Sequence, residues 1–348
     1  MDWVRGNPVG RGSFGTVNLA LPGKNSTQFP AATVVKSSQV LNSFSIRNEK
    51  QVLDRLGSCS RIIRCFGDDY TFEDGDEYYN LFLEYAAGGT LADQINFHGG
   101  RIPEPLVRRY TRSIVEGLTH IHQNGFVHCD IKLPNILVFD DGEIKIADFG
   151  LAKEAGEKQS EGFECRGTPL FMSPESVNDG EHESPADIWA LGCAMVEMVT
   201  GKPAWNMQKG SSMCSLLFRI GMGEELPEIP EELSQEGKDF LGKCFVKDPS
   251  KRWTAEMLLK HPFVADDDDT VSLKHFNESP RTNFDFPDWV SIVAASVPSS
   301  PESEEAPQWE FDSSRLSIFC SPLDRIRQLV TVQGPENWSE ADSWISVR

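Results

Sequence analysis

The run His128-Cys129-Asp130-Ile131-Lys132-Leu133-Pro134-Asn135, followed thirteen residues later by Asp148-Phe149-Gly150, constrains this chain more than any other feature. A carboxylate at Asp130 can orient a hydroxyl and accept its proton. The amide oxygen of Asn135 can bind a cation, and Lys132 between them can meet transferred negative charge. Asp148, after the strand-like run Glu143 to Ala147, supplies a second hard oxygen ligand suited to Mg²⁺. The Asp-Phe-Gly tripeptide alone is a common accident; its ordered spacing behind the first run is not.

Upstream lie the remaining parts of a nucleotide site. Gly10-x-Gly12-x-x-Gly15-x-Val17 is a glycine loop, where absent side chains let backbone approach phosphate oxygens. It follows one strand-like stretch and leads into another, which argues against a dinucleotide-binding turn, since that turn must open a helix. Lys36 ends the short apolar strand Thr33-Val34-Val35, 21 residues beyond the loop's last glycine, at a distance suited to the α- and β-phosphates. Glu49 falls in an expected helix from Asn48 to Leu56, with Leu53 and Leu56 on one face. A Glu49–Lys36 pair would hold the ammonium against the phosphates.

Two compositions divide the chain. From residue 3 to 263, apolar runs alternate with turn signals: Val4 to Val17, Thr33 to Val35 and Tyr79 to Leu83 read as strands. Leu106 to His122 carries apolar residues at helical spacing, and Asp187 to Val199, apolar on nearly all sides, reads as a buried helix. Strands first and helices later predict an α+β protein with a sheet-rich N-lobe. Residues 264–348 hold 16 acids against 6 Lys/Arg, so half of the chain's net charge of −20 sits there. With Asp266 to Asp269 and a Pro/Ser/Glu-rich stretch from Val297 to Pro307, this segment reads as a disordered acidic tail. The acidic balance excludes binding of nucleic acid or an anionic membrane through bulk charge. The eight cysteines show neither C-x-x-C pairs nor zinc-like spacing. With no apolar signal core, lipidation box or membrane-length apolar run, the expectation is a soluble cytoplasmic or nuclear protein.

The ordered set of motifs resembles the eukaryotic protein kinase family over residues 3–263. Ser173-Pro174-Glu175 stands where that family has A-P-E, Asp187-Ile188-Trp189-Ala190-Leu191-Gly192 matches its D-x-W-x-x-G helix, and Arg252 matches the arginine that pairs with the A-P-E glutamate. The resemblance implies a bilobal fold with a five-stranded N-lobe (3–86), a helical C-lobe (87–263), and ATP between them. It places the nucleotide against Val9, Gly10, Arg11, Gly12, Ser13, Phe14, Gly15 and Val17, against Lys36 with its partner Glu49, and at the hinge Glu84-Tyr85-Ala86 beside the gatekeeper Leu83. Asp130, Lys132 and Asn135 are the implied catalytic residues, and Asn135 and Asp148 the implied Mg²⁺ ligands.

Lys132 resembles serine/threonine rather than tyrosine kinases. Gly167-Thr168-Pro169-Leu170-Phe171-Met172-Ser173-Pro174-Glu175 resembles the signature of MEKK-like plant MAP kinase kinase kinases, and H-C-D-I-K a compact branch of them. That likeness implies a monomeric enzyme phosphorylating MAP kinase kinases in stress or hormone signalling. Three departures stand out. Val34 replaces the usual alanine over the adenine. Cys129 replaces the arginine that normally meets an activation-loop phosphate. Pro134 removes a carboxylate that basophilic kinases use. A pseudokinase scaffold is the competing reading, but its usual losses, at Lys36, Asp130 or Asp148, are absent here. A calcium-dependent kinase would need an EF-hand loop, which four contiguous aspartates do not make. In the tail, Ser279-Pro280, Ser300-Pro301 and Ser321-Pro322 suit proline-directed feedback by MAP kinases, and Arg325-x-Arg327 before Leu329 to Val332 resembles a docking peptide.

Overall fold

Period-two patterns fill the first part of the chain and helical periods the rest, and the computed structural model follows that division. It describes residues 3–12, 14–23, 30, 32–157, 166–206 and 212–265. Ser13 and the acidic tail, with its Ser-Pro pairs and docking-like segment, lie outside the described residues.

The N-lobe is a five-stranded antiparallel sheet formed by β1 (Trp3–Gly12), β2 (Gly15–Pro22), β3 (Thr33–Gln39), β4 (Cys65–Glu73) and β5 (Asp76–Glu84), in the order β1-β2-β3-β5-β4. The strand-like stretches on either side of the glycine loop are thus β1 and β2, joined at the glycine turn. β3 is buried along Thr33 to Ser37, as a strand flanked on both edges should be. Its register sets Val34 opposite Leu83, and Lys36 between Val17 and Leu81. β4, half-buried and rich in acidic and polar residues, shows no clean alternation in the sequence. It forms because Asp74-Gly75, both at positive φ, makes the tight turn that folds it onto β5.

The helix α1 (Phe44–Leu56) begins four residues before the expected Asn48. Ser43 stands at its N-cap, but the hydroxyl donates to the Val40 carbonyl instead of capping the helix, and the first turn has no acidic residue. It buries Ile46, Glu49, Val52, Leu53 and Leu56 on one face.

The C-lobe contains α2 (Leu91–Phe97), α3 (Glu104–Gln123), β6 (Phe126–Val127), β7 (Ile136–Val138), β8 (Ile144–Ile146), β9 (Lys153–Glu154), α4 (Pro174–Asn178), α5 (Ser184–Thr200), α6 (Met213–Met222), α7 (Gln235–Cys244) and α8 (Ala255–Leu258). β6 pairs with β9 and β7 with β8, so two short ribbons face the sheet. α5 is apolar all round and buried along nearly its whole length, with Trp189 fully enclosed. α3 packs on it, and one apolar core runs from Val34 in the sheet to Val264 beyond α8. Among the described residues no helix is long and apolar enough to cross a membrane.

Candidate active site

The glycine loop closes the β1–β2 ribbon, with Gly10 opposite Val17 and Gly12 opposite Gly15. The first and last of these glycines serve different ends. A Cβ on Gly15 would sit 2.3 Å from the Ser37 carbonyl oxygen, so the bare backbone lets β2 lie against β3. A Cβ on Gly10 would meet nothing within 4 Å, so there the missing side chain leaves space above the cleft. Val9, Phe14 and Val17 are partly buried against the core, and Arg11 is exposed. The Phe14 ring centroid is 6.0 Å from the Lys36 ammonium, which brings the loop's tip over that charge.

Lys36 is the junction of the two lobes. Its Nζ donates to Glu49 Oε2 at 2.6 Å and to Asp148 Oδ1 at 2.8 Å, with Lys36 7% exposed and Glu49 fully buried. Burial alone would push the ammonium down; the Glu49 and Asp148 carboxylates outweigh it and hold it above the usual lysine range. Burial pushes the Glu49 carboxyl up and Lys36 opposes it. Burial would also raise Asp148, but Lys36 prevails and holds that carboxyl below its ordinary value. Glu49 Oε1 further accepts the Phe149 amide at 3.2 Å, and Asn48 of the same helix donates to the Gly150 and Ala152 carbonyls. α1 therefore holds both the lysine and the Asp-Phe-Gly segment.

Across the cleft, Asp130, 6% exposed, accepts from three groups. Oδ1 takes the Thr168 hydroxyl at 2.8 Å; Oδ2 takes Asn135 Nδ2 at 3.0 Å and Lys132 Nζ at 2.8 Å. Lys132 also donates to the Thr168 oxygen at 2.8 Å. Asn135 Nδ2 bonds the Asp130 carbonyl as well, which leaves its Oδ1 without a partner among the described residues. Thr168 enters the sequence analysis only within the Gly167 to Glu175 signature, yet its hydroxyl touches both Asp130 and Lys132.

Asp187, in the first turn of α5, fixes this loop from below. Its two oxygens accept the His128 and Cys129 amides, each at 2.9 Å, and His122 Nε2 lies 2.9 Å from Oδ2. Burial would raise Asp187, yet His122 holds it low, so it stays an anion under the loop. His128 Nδ1 accepts the Asp130 amide, which makes Nε2 the protonated nitrogen donating to the Ala147 carbonyl; the ring stacks edge-on against Phe149 at 4.8 Å. Cys129 takes a positive φ of 66° beside these bonds. Arg252 forks onto both Glu175 oxygens at 2.6 and 3.0 Å and reaches the Pro185 carbonyl, which locks the Ser173-Pro174-Glu175 segment to the start of α5.

At the hinge, Leu83 is buried beside Val34. The Glu84 side chain points away from any nucleotide: it binds Lys145 Nζ with both oxygens at 2.7 Å and accepts the Arg64 amide. Only the Glu84 backbone remains for a ligand. The Ala86 amide donates to nothing among the described residues. Leu137, not singled out in the sequence, faces opposite to the buried Ile136 and Val138. The loop after the hinge bonds to β7 at Val138, which sets Leu137 under the hinge. Alternation from Asn135 could have flagged it.

A family model of the protein kinase domain matches residues 3–264. Mitogen-activated protein kinase kinase kinase 20 of Arabidopsis thaliana is 51% identical, with all of each chain aligned. Mitogen-activated protein kinase kinase kinase 17 of the same plant is 39% identical over all of this chain and 93% of its own. Mitogen-activated protein kinase kinase kinase YODA is 37% identical over 75% of this chain but only 29% of its own.

Proposed function

This chain belongs to the protein kinase family and is a serine/threonine kinase, and from that premise we propose that it acts on MAP kinase kinases. The observation that carries the transfer reading is the Lys36 ammonium held between Glu49 and Asp148 directly beneath the glycine loop. In this reading Lys36 holds the α- and β-phosphates of ATP, and Glu49 keeps it pointed there. Val9, Val17, Val34, Leu83 and Leu137 enclose the adenine, with the Glu84 carbonyl and the Ala86 amide on its polar edge. The residues present suit Mg²⁺: Asp148 is an anion with part of its surface open, and Asn135 offers an unengaged amide oxygen. Bound there, the metal would neutralise charge on the β- and γ-phosphates.

The remaining work falls to the catalytic loop. Asp130 Oδ1, which now accepts the Thr168 hydroxyl, would accept the substrate hydroxyl's proton as its oxygen bonds the γ-phosphorus and the bond from that phosphorus to the β-phosphate oxygen breaks, with ADP as the leaving group. Lys132 follows the charge on the transferring oxygens. Positioning and charge neutralisation are what phosphoryl transfer chiefly needs. The choice of MAP kinase kinases rests on full-length likeness to a mitogen-activated protein kinase kinase kinase. The same reading assigns a monomer of the cytoplasm or nucleus, serving stress or hormone signalling, with its tail open to MAP kinase feedback. The test is transfer of radiolabelled phosphate to a panel of purified, catalytically dead MAP kinase kinases. Labelling of none of them, by an enzyme that labels a generic substrate, refutes the assignment.

A further inference from the structure

Lys153 has no part in the transfer chemistry, yet it is a buried cation between the two catalytic segments. It lies in β9 five residues after Asp148, and its register partner Val127 in β6 precedes Asp130 by three. Its side chain is 6% exposed, and its Nζ donates to Glu183 Oε1 at 2.7 Å and to the Glu157 carbonyl at 3.3 Å. The Glu183 carboxylate does more than pair with it: both oxygens also accept the Gly156 amide at 3.1 Å. Gly156 has a φ of 73°, so the backbone is turned to present that amide. Glu183 stands at the N-cap position of α5, its carbonyl accepting the Ala186 amide, four residues before Asp187. One turn of one buried helix thus grips the catalytic loop through Asp187 and the segment after Asp-Phe-Gly through Glu183.

We propose that Glu183 is a positioning residue that does for this kinase what a phosphate on the activation segment does where an arginine precedes the catalytic aspartate. A loop phosphate brings about 1.5–2 negative charges and three acceptor oxygens to a basic cluster. Here a carboxylate supplies the anion from the helix itself, and its oxygens already engage the ammonium and the amide such a phosphate would seek. The position of the arginine is held by Cys129, whose thiol burial keeps neutral. A phosphate added within residues 158–165 would therefore find Lys153 taken and no cation at 129. Glu183 acts through β9 on Asp148 and through the β6–β9 pairing on Asp130. The proposal rests on the reading of this chain as an active kinase, which wild-type turnover in the same assay tests separately.

The experiment uses the full chain, dephosphorylated to completion by intact mass, with myelin basic protein and ATP as substrates. Phosphatase should change wild-type kcat by less than about twofold, whereas Glu183→Gln should lower kcat by about tenfold or more with KM for ATP within about twofold. A stability role alone would move the melting temperature and leave kcat of the folded fraction intact. Lys153→Gln/Glu183→Gln removes both charges, so it folds even where a stranded ammonium would not, and it should lose no more kcat than the single variant because the pair acts as a unit. A wild-type drop of about a hundredfold on dephosphorylation overturns the proposal, as does a folded single or double variant with kcat within about twofold of wild type.

Discussion

Replacing Lys36 with methionine strands the Glu49 carboxylate, and the structure allows that cost to be bounded. Glu49 is fully buried, with the Phe149 amide as its other partner. Removing one member of a buried pair costs about 3–5 kcal/mol. Protonation caps the penalty. Neutralising a glutamate of ordinary pKa, about 4.3, at pH 7 costs about 3.7 kcal/mol, at about 1.36 kcal/mol per pH unit. In the folded variant Glu49 lies further above its unfolded value, so its contribution is favourable at low pH and lost as pH rises. The stability gap to wild type should therefore shrink as pH is lowered from 8 to 6. Asp148 loses the same ammonium, which is what holds its carboxyl low in wild type, so part of the pH dependence is its own and the Glu49→Gln background separates the two. At about 2–4 °C per kcal/mol for a domain near this size, the melting temperature should fall by about 10 °C at pH 7. Thermal denaturation without nucleotide, at several pH values, reads it directly. Glu49→Gln in the Lys36→Met background should recover stability at pH 7 yet stay inactive, since one lost preorganised charge costs about a hundredfold to a thousandfold in rate. A gap equal at pH 6 and pH 8, or a double variant no more stable than the single, refutes the reasoning.

Thr168→Ala should lower kcat by about tenfold, the worth of one hydrogen bond to a charged group, while Thr168→Ser keeps most activity; equal rates for all three by steady-state kinetics would remove Thr168 from the site. Gly10→Ala should fold normally and raise KM for ATP, whereas Gly15→Ala should lose stability by about 1–3 kcal/mol through its collision with the Ser37 carbonyl, as calorimetry of the two will show. A chain ending at residue 270 should retain turnover on a generic substrate while differing from full length in cellular half-life. Loss of activity in vitro would make the tail part of the catalytic unit.

The grouping of Lys36 with Glu49 and Asp148, and of Asp130 with Asn135, was readable because residue types in a set order imply that they meet. Glu175 with Arg252 was readable for the same reason. What escaped depends on neighbours far along the chain. β4 has no pattern of its own and is a strand because β5 folds back on it. Glu183 resembles any surface acid until β9, thirty residues upstream, brings Lys153 to it. Glu84 keeps only its backbone for a nucleotide because Lys145, sixty-one residues on, draws its side chain toward the C-lobe. At the early start of α1 the Ser43 hydroxyl turns back to Val40, and the first turn has no acidic residue to announce it.

The two halves of the site rest on unequal foundations, and this bears on how ADP leaves. No residue of β1 is buried, and Ala20 alone is buried in β2, so the glycine loop hangs on a ribbon with little packing beneath it. The loop carrying Asp130 is bound instead to Asp187 on a helix enclosed on every side. Regions with few buried contacts open at low free energy, and enclosed ones only at high. Lifting the ribbon can therefore release the spent nucleotide while Asp130, Lys132 and Thr168 keep their places, and each turnover begins with the transfer half already assembled.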